Sequence, residues 1–318
     1  MEIYVYKGEW GLPTIDFDCC RILTYIKLTK APVKIQTKSN PFTSPNGLLP
    51  YLKVDNRKIA SYAKIVEYLS SQGFRCNKHE EFILINGHIE NIIENLHPFF
   101  LYEQWGDPKN IDFTRGLYAY RTPFPFNFYC PRKYISKTNE LMETLANFSI
   151  EDPAEQHDTA SMMLNAKKCI NWIAEKIGDN DWFLGQESSE IDATIFGYLS
   201  IILHATLPNN LLQIHLRQCT NLVKYVERIT KKYFAEDGFC TANAKNSHRK
   251  TEEETSTFYT GKEDDENVSA KRKRILLSGF VALITMTAYA IYSGILHISR
   301  EEIPSNMFQY DEDLSDDE

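Results

Sequence analysis

Residues Ile275–Leu296 read ILLSGFVALITMTAYAIYSGIL, 22 positions without a charged side chain, directly behind a long polar stretch. As a helix rising ~1.5 Å per residue the segment reaches roughly 33 Å, enough to cross a hydrocarbon core of ~30 Å. A buried core helix is the other reading, and the polar stretch before the segment disfavours it. Ile275, Leu276, Leu277, Phe280, Val281, Leu283, Ile284, Ile291, Ile295 and Leu296 carry the apolar character. Each favours lipid by roughly 0.3–0.6 kcal/mol near the bilayer centre, and the Ser, Thr, Tyr and Gly residues subtract from that total. The segment is therefore expected to be a single, moderately apolar membrane span.

Its flanks predict an orientation. Lys271, Arg272, Lys273 and Arg274 stand immediately before it, and the positive-inside tendency keeps them cytosolic, with residues 297–318 on the far side. Only 22 residues follow Leu296, so the span is expected to insert after synthesis, as a tail anchor does. Moderate hydrophobicity suits the mitochondrial outer membrane. Such anchors often carry bases after the span, however, and here only His297 and Arg300 occur. Ser278, Gly279, Ser293 and Gly294 form either a helix-packing face or tolerated small residues in a lone anchor.

The net charge of −8 belongs to the tail: residues 301–318 hold eight acids and no Lys or Arg, which leaves residues 1–300 formally neutral. No basic excess points to nucleic acid. The seven cysteines are scattered, with no Cys-x-x-Cys, as in a reduced compartment rather than a disulfide framework. Met1–Tyr6 opens like a strand and has neither a signal-peptide core nor a transit-peptide composition.

Five segments follow: an α/β part over residues 1–75, an all-helical part over 76–236, a polar linker over 237–270, the span, and the acidic tail 297–318. The linker holds Glu252-Glu253-Glu254 and Glu263-Asp264-Asp265-Glu266 among few large apolar residues, and is expected to act as a flexible tether. In the first part, Ile3–Tyr6 and Val33–Ile35 read as strands, Phe17–Leu28 and Tyr62–Ser70 as helices. Tyr51–Val54 and Arg57–Ala60 flank an Asp55-Asn56 hairpin turn. From His79 the period becomes 3.6: Phe82, Ile85, Ile89, Ile92, Ile93, Leu96 and Phe100 make one stripe. Met163, Ala166, Ile170, Ile173 and Ile177 make a second, ending at Gly178. Ser189–Asp192 is a Ser-x-x-Asp cap ahead of a helix over Ala193–His204, and Leu222, Val226, Ile229 and Tyr233 suggest a last helix.

This order, with Pro50 just before the hairpin, resembles a glutathione transferase: a thioredoxin-like half followed by a helical half. In that fold the proline is cis, a Ser, Tyr or Cys near the start of the first helix activates the glutathione sulfur, and a Glu-Ser or Gln-Ser pair after the hairpin holds the γ-glutamyl end. With Arg21 as anchor, the activating position falls near Phe17, which has no suitable group, and the pair becomes Ala60-Ser61, without its carboxylate. Thr14, Cys19 and Cys20 are the nearby fallbacks. The eight histidines are dispersed, no His-Glu-x-x-His or phosphate-cradling glycine pattern occurs, and no metal or cofactor is expected. Glu80-Glu81 and Glu90/Glu94 read as a solvated helix face rather than an acid–base pair.

Pro123-Phe124-Pro125-Phe126-Asn127-Phe128-Tyr129-Cys130-Pro131 sets four aromatic residues among three prolines. It cannot be a helix interior and reads as an extended loop. Phe124, Phe126, Phe128 and Tyr129 either pack between the two halves or offer rigid anchors to a partner.

Several stretches together resemble the metaxins, in their tail-anchored form. These are Trp10–Pro13 with Asp16–Asp18, Leu23–Tyr25, Ala31–Lys34, Ser39–Pro41, Ser44–Gly47 leading to Leu49-Pro50, and Pro123–Pro131. Leu207-Pro208, Leu212–Arg217 and Ser293–Ile295 continue the match. The resemblance implies a transferase fold without transferase activity, anchored in the mitochondrial outer membrane and facing the cytosol. Its implied partners are a second, peripheral metaxin, the barrel-forming subunit of the sorting and assembly machinery, and outer-membrane lipid. Protein import and β-barrel insertion are the implied work, and adaptors for cargo or motors are compatible with it. The rival expectation is a tail-anchored glutathione-dependent enzyme or sensor linked to mitochondrial dynamics.

Overall fold

The computed structural model describes residues 1–37, 40–76, 82–124, 126–151 and 158–235, and Thr285 alone beyond them. The chain divides into two units, Met1–Glu252 and Glu253–Glu318. The expected tether, the basic flank Lys271–Arg274, the span Ile275–Leu296 apart from Thr285, and the acidic tail lie outside the described residues. Among the described residues no helix is long and apolar enough to cross a membrane.

The first unit begins with an apolar alternation that needs two neighbours. In β1 (Glu2–Tyr4), Ile3 is fully buried; it lies beside Ile35 of β2 (Lys34–Gln36) in parallel and Leu52 of β3 (Tyr51–Val54) in antiparallel register. β3 turns through Asp55, at φ 49°, into β4 (Arg57–Ala60), as short polar side chains that tolerate the left-handed region allow. The sheet order is β2-β1-β3-β4. One face is covered by α1 (Phe17–Thr29) and α2 (Tyr62–Ser71), which bury Ile22, Leu23, Ile26, Ile65 and Leu69. Asp16 starts α1 by accepting the Cys19 N–H at 3.0 Å, and the Leu49–Pro50 bond is cis.

The helical half comprises α3 (Phe82–Leu101), α4 (Ile111–Arg121), α5 (Tyr129–Glu151), α6 (Thr159–Ile177), α7 (Glu190–His204), α8 (Leu211–Leu216) and α9 (Thr220–Tyr233). A π-helical turn, Tyr102–Gly106, extends α3 and buries Trp105. The all-round burial of α7 makes it the spine of the half. Its Gly197 lets α1 come close: a Cβ there would stand 3.2 Å from Arg21 Cβ and 3.3 Å from Phe17 Cε2. The α7 helix starts at Glu190, not Ala193, because Ser189 is its N-cap and Asp192 lies within its first turn, where the carboxylate accepts the Ser189 N–H at 2.8 Å.

The proline-aromatic run departs from expectation. It is a chain of tight turns rather than an extended loop: Phe126 N–H donates to Pro123 O at 2.9 Å, and Tyr129 and Cys130 N–H both donate to Phe126 O. Tyr129, Cys130 and Pro131 belong to α5, where a first-turn proline loses no intrahelical bond.

Helix α8 is pinned by two buried side chains. Gln213 Nε2 donates to the Ile202, Leu203 and Ala205 carbonyls at the end of α7, and Glu103 accepts the Leu212 N–H at 2.9 Å. Burial outweighs those donors and raises the Glu103 pKa to about 7. A raised carboxyl pKa gives stability that is full below the unfolded value near 4.5 and is lost as pH climbs through 7. Glu103→Gln keeps the acceptor without the charge. It is expected to be near-neutral at pH 5 and stabilising by on the order of 1–3 kcal/mol at pH 8, read by denaturant unfolding at both pH values.

Candidate functional site

The start of α1, the loop before β3, α2 and α3 enclose a cavity of about 980 Å³ lined by Phe17, Arg21, Leu49, Pro50, Tyr62 and Phe100, among others. It occupies the place where the transferase-like reading puts a thiol. Phe17 fills the activating position with a ring stacked at 3.9 Å on Tyr198, and Phe100 and His97 close around it at 5.9 and 5.8 Å. His97 Nδ1 bonds the Tyr198 hydroxyl at 2.8 Å. Burial, then the Arg21 charge, pushes His97 down to about 4, so the imidazole is neutral at physiological pH. Burial holds the Tyr198 hydroxyl far above the usual phenol range.

The fallback nucleophiles lie beneath the site. Thr14, Cys19 and Cys20 are fully buried; burial drives the Cys19 thiol well up and Cys20 to about 12. A thiolate is disfavoured at both cysteines. All six cysteines among the described residues are free. At the other wall stands Ser61, which has φ 82° and is exposed; Ala60, which precedes it at the end of β4, carries only a methyl group. Glu90 and Glu94 are exposed on α3, with Glu90 at the cavity.

Three charged groups to which the sequence reading gave no role in the site, Arg21 serving there only as an anchor, meet at the cavity. Arg21 is 7% exposed, lies 3.5 Å above the Tyr62 ring, and leaves its Nε without a hydrogen-bond partner. Glu190 accepts the Tyr62 hydroxyl at 3.1 Å; burial raises its pKa and the Arg21 charge opposes that rise. Asp18 meets water at the cavity wall but is hemmed in by protein: burial and the Asp16 charge raise it to about 6, against Arg21 and Lys137. Below them Asp16 accepts the Tyr118 and Tyr134 hydroxyls at 3.2 and 3.0 Å, inside an aromatic box closed by Trp105. The helix-capping role of Asp16 is readable from its place before an apolar run; the partners from α4 and α5 carry no local signal. Among the described residues no cluster of three His, Cys, Asp or Glu side chains could hold a metal ion.

The four aromatic candidates divide. Phe126 is half-buried and stacks at 3.9 Å on Phe42 from the sheet half, so it packs between the halves. Phe124, Phe128 and Tyr129 are 55%, 72% and 50% exposed. Phe126→Ser is expected to lower stability by roughly 1–2 kcal/mol, while Phe124→Ser and Phe128→Ser change it by less than about 0.5 kcal/mol. Equal losses at all three in thermal melts would remove the division.

Fold and cavity together define a chain of the glutathione-transferase fold whose cavity is walled in part by the ring of Phe17, stacked on Tyr198. A family model described as a glutathione S-transferase C-terminal domain matches residues 166–229, and one described as an outer mitochondrial membrane transport complex protein matches residues 19–135. A glutathione S-transferase of Ceriporiopsis subvermispora, solved with glutathione, superposes at a TM-score of 0.46 with 15% identity, covering 72% of this chain and 96% of its own. A metaxin-1 homologue of Drosophila melanogaster is 38% identical over 92% of this chain and 89% of its own length. Metaxin-1 of Macaca fascicularis is 30% identical over 94% and 92%. The chain belongs to the metaxin family, in its metaxin-1 branch.

Proposed function

We propose that this chain is a non-enzymatic scaffold of the mitochondrial outer membrane, supporting protein import and β-barrel insertion within the sorting and assembly machinery. Residues 275–296 are its tail anchor, and its transferase-fold unit faces the cytosol, where a peripheral metaxin and the barrel-forming subunit are its partners. Family membership supports the setting. The observation that carries the non-enzymatic part is the ring of Phe17, stacked on Tyr198, in the position from which a thiol would be activated. No neighbouring group compensates: Cys19 and Cys20 are buried with raised pKa values, and Ala60 has no carboxylate for the glutathione amine.

The competing reading, a glutathione-dependent enzyme or sensor, draws on the cavity and on Arg21. The purified full-length chain, supplied with saturating glutathione and a generic electrophile, is expected to conjugate no faster than the uncatalysed reaction, and to pass unretained through glutathione resin. Turnover together with retention would reverse the ranking. Crosslinking the membrane-embedded chain and identifying its neighbours tests the assembly part: capture of a barrel-forming subunit and a second metaxin is the expected result, and their absence defeats it.

A further inference from the structure

The residues that form the exposed aromatic face come from two stretches free of acids. Residues 19–54 and 113–139 contain no Asp or Glu, although the chain as a whole carries 43 acids and a net charge of −8. The fold brings these stretches together: Phe42 contacts Phe126 at 3.9 Å and Tyr129 at 5.0 Å, and Lys133 Nζ donates to Asn46 O. Phe124 and Phe128 meet edge to face at 6.5 Å, and Phe42 itself is 41% exposed. Bases border the rings. Lys58 Nζ reaches Thr43 O at 2.7 Å, next to Phe42, and Arg132 and Lys133 sit one turn beyond Tyr129 on α5. Arg121 is engaged by Glu9 and is not counted. Glu2, the acid nearest on the sheet, accepts from the Tyr4 hydroxyl at 2.9 Å and from Gln36 at 3.3 Å, and lies beside Lys53.

We infer that this face docks on the anionic surface of the bilayer, with Phe124, Phe128 and Tyr129 at headgroup depth and Lys58, Arg132 and Lys133 over the lipid phosphates. Aromatic rings settle at the membrane–water boundary, and bases close to an anionic leaflet are drawn to it. Charge complementarity selects this occupant: Lys58, Arg132 and Lys133 border four exposed rings, the two stretches that supply the rings contain no acid, and Glu140 and Glu143, which share a shallow pocket with Arg132, lie two turns or more further along α5. The inference rests on the tail-anchored reading for its frequency of encounter.

The test uses the full-length chain with Phe128→Trp, a conservative change at a 72% exposed ring, reconstituted in vesicles whose acyl chains carry bromine. The wild-type chain, with its four native tryptophans, supplies the background. The expected result is quenching of the added tryptophan in bilayers containing anionic lipid, reduced at least twofold in pure phosphatidylcholine or in half-molar salt, where the screening length falls to about 4 Å. Lys58→Glu with Arg132→Glu is expected to abolish the quenching while the chain still floats with the vesicles and its thermal melt is unchanged. An unquenched Trp in a chain that floats overturns the inference. So does a response to soluble polyglutamate but not to bilayers, which would assign the face to an acidic protein. Failure of the anchor reading looks different: the wild-type chain would then wash from the vesicles in carbonate, whatever its tryptophan reports.

Discussion

Asp192→Ala is expected to lower the unfolding free energy by about 3–5 kcal/mol, the loss associated with stripping a buried charged acceptor from its donors. The carboxylate is fully buried and accepts four hydrogen bonds, each at 2.8 Å: from Phe183 N–H, Ser189 N–H, the Ser189 hydroxyl and the Tyr225 hydroxyl. One residue thus ties the start of α7 to the turn before it and to α9. Alanine leaves all four donors buried and unpaired, and removes the negative charge at the helix N-terminus. For a unit of 150–250 residues, 1 kcal/mol shifts the midpoint by roughly 2–4 °C, so a fall on the order of 10 °C is anticipated in circular dichroism melts. Asp192→Asn, which keeps one acceptor oxygen and turns an amide toward the remaining donors, should fall between. A midpoint for the alanine variant within about 2 °C of wild type would show that water replaces the carboxylate, and the cap would then lose its structural role.

What is readable in advance follows from how much of a side of each element is buried. Ile85, Ile89, Ile92, Leu96 and Phe100 repeat at helical spacing because one side of α3 faces the core, and all five are buried; Ile93, read as part of the same stripe, is instead 36% exposed, at the cavity. α4 and α5 lack such a stripe: within α4 only Thr114 and Tyr118 are buried, so no apolar period betrays the helix. The run of prolines before α5 suggests an extended loop where the chain makes tight turns, and a proline in a first helical turn gives the same local signal as one in a loop, which hides the start at Tyr129. The cavity was half legible. On the transferase-like reading, Phe17 and Ala60 are the positions where a thiol-activating group and a carboxylate would be looked for, and the sequence alone names both. The Tyr198 ring that stacks on Phe17 and the Glu190 carboxylate arrive through the α1–α7 packing, the Tyr62 ring beneath Arg21 arrives from α2, and no periodicity records such meetings. The aromatic face is of the same kind: Phe42 looks like an ordinary loop residue until the fold sets it against Phe126.

Ile284→Lys is expected to move most of the chain from the membrane pellet to the supernatant of a carbonate wash. The argument is a margin. Ten Ile, Leu, Val and Phe residues between 275 and 296 contribute roughly 3–6 kcal/mol toward lipid, and the segment's Ser, Thr, Tyr and Gly residues reduce that figure. A lysine at the centre opposes insertion by roughly 2.5–3.5 kcal/mol and also removes the isoleucine it replaces, so a single substitution takes away most of the preference. Ile275→Lys adds the same charge beside Lys271–Arg274, where the side chain can snorkel to the headgroups, and should leave the chain membrane-bound. The pair separates insertion from surface adsorption. A chain that merely adsorbs through its bases would hold at least as well with either lysine, because each adds positive charge. Retention of both variants would therefore exclude a spanning helix and with it the tail-anchored reading; release of the central variant alone is the signature of a segment whose middle lies in hydrocarbon.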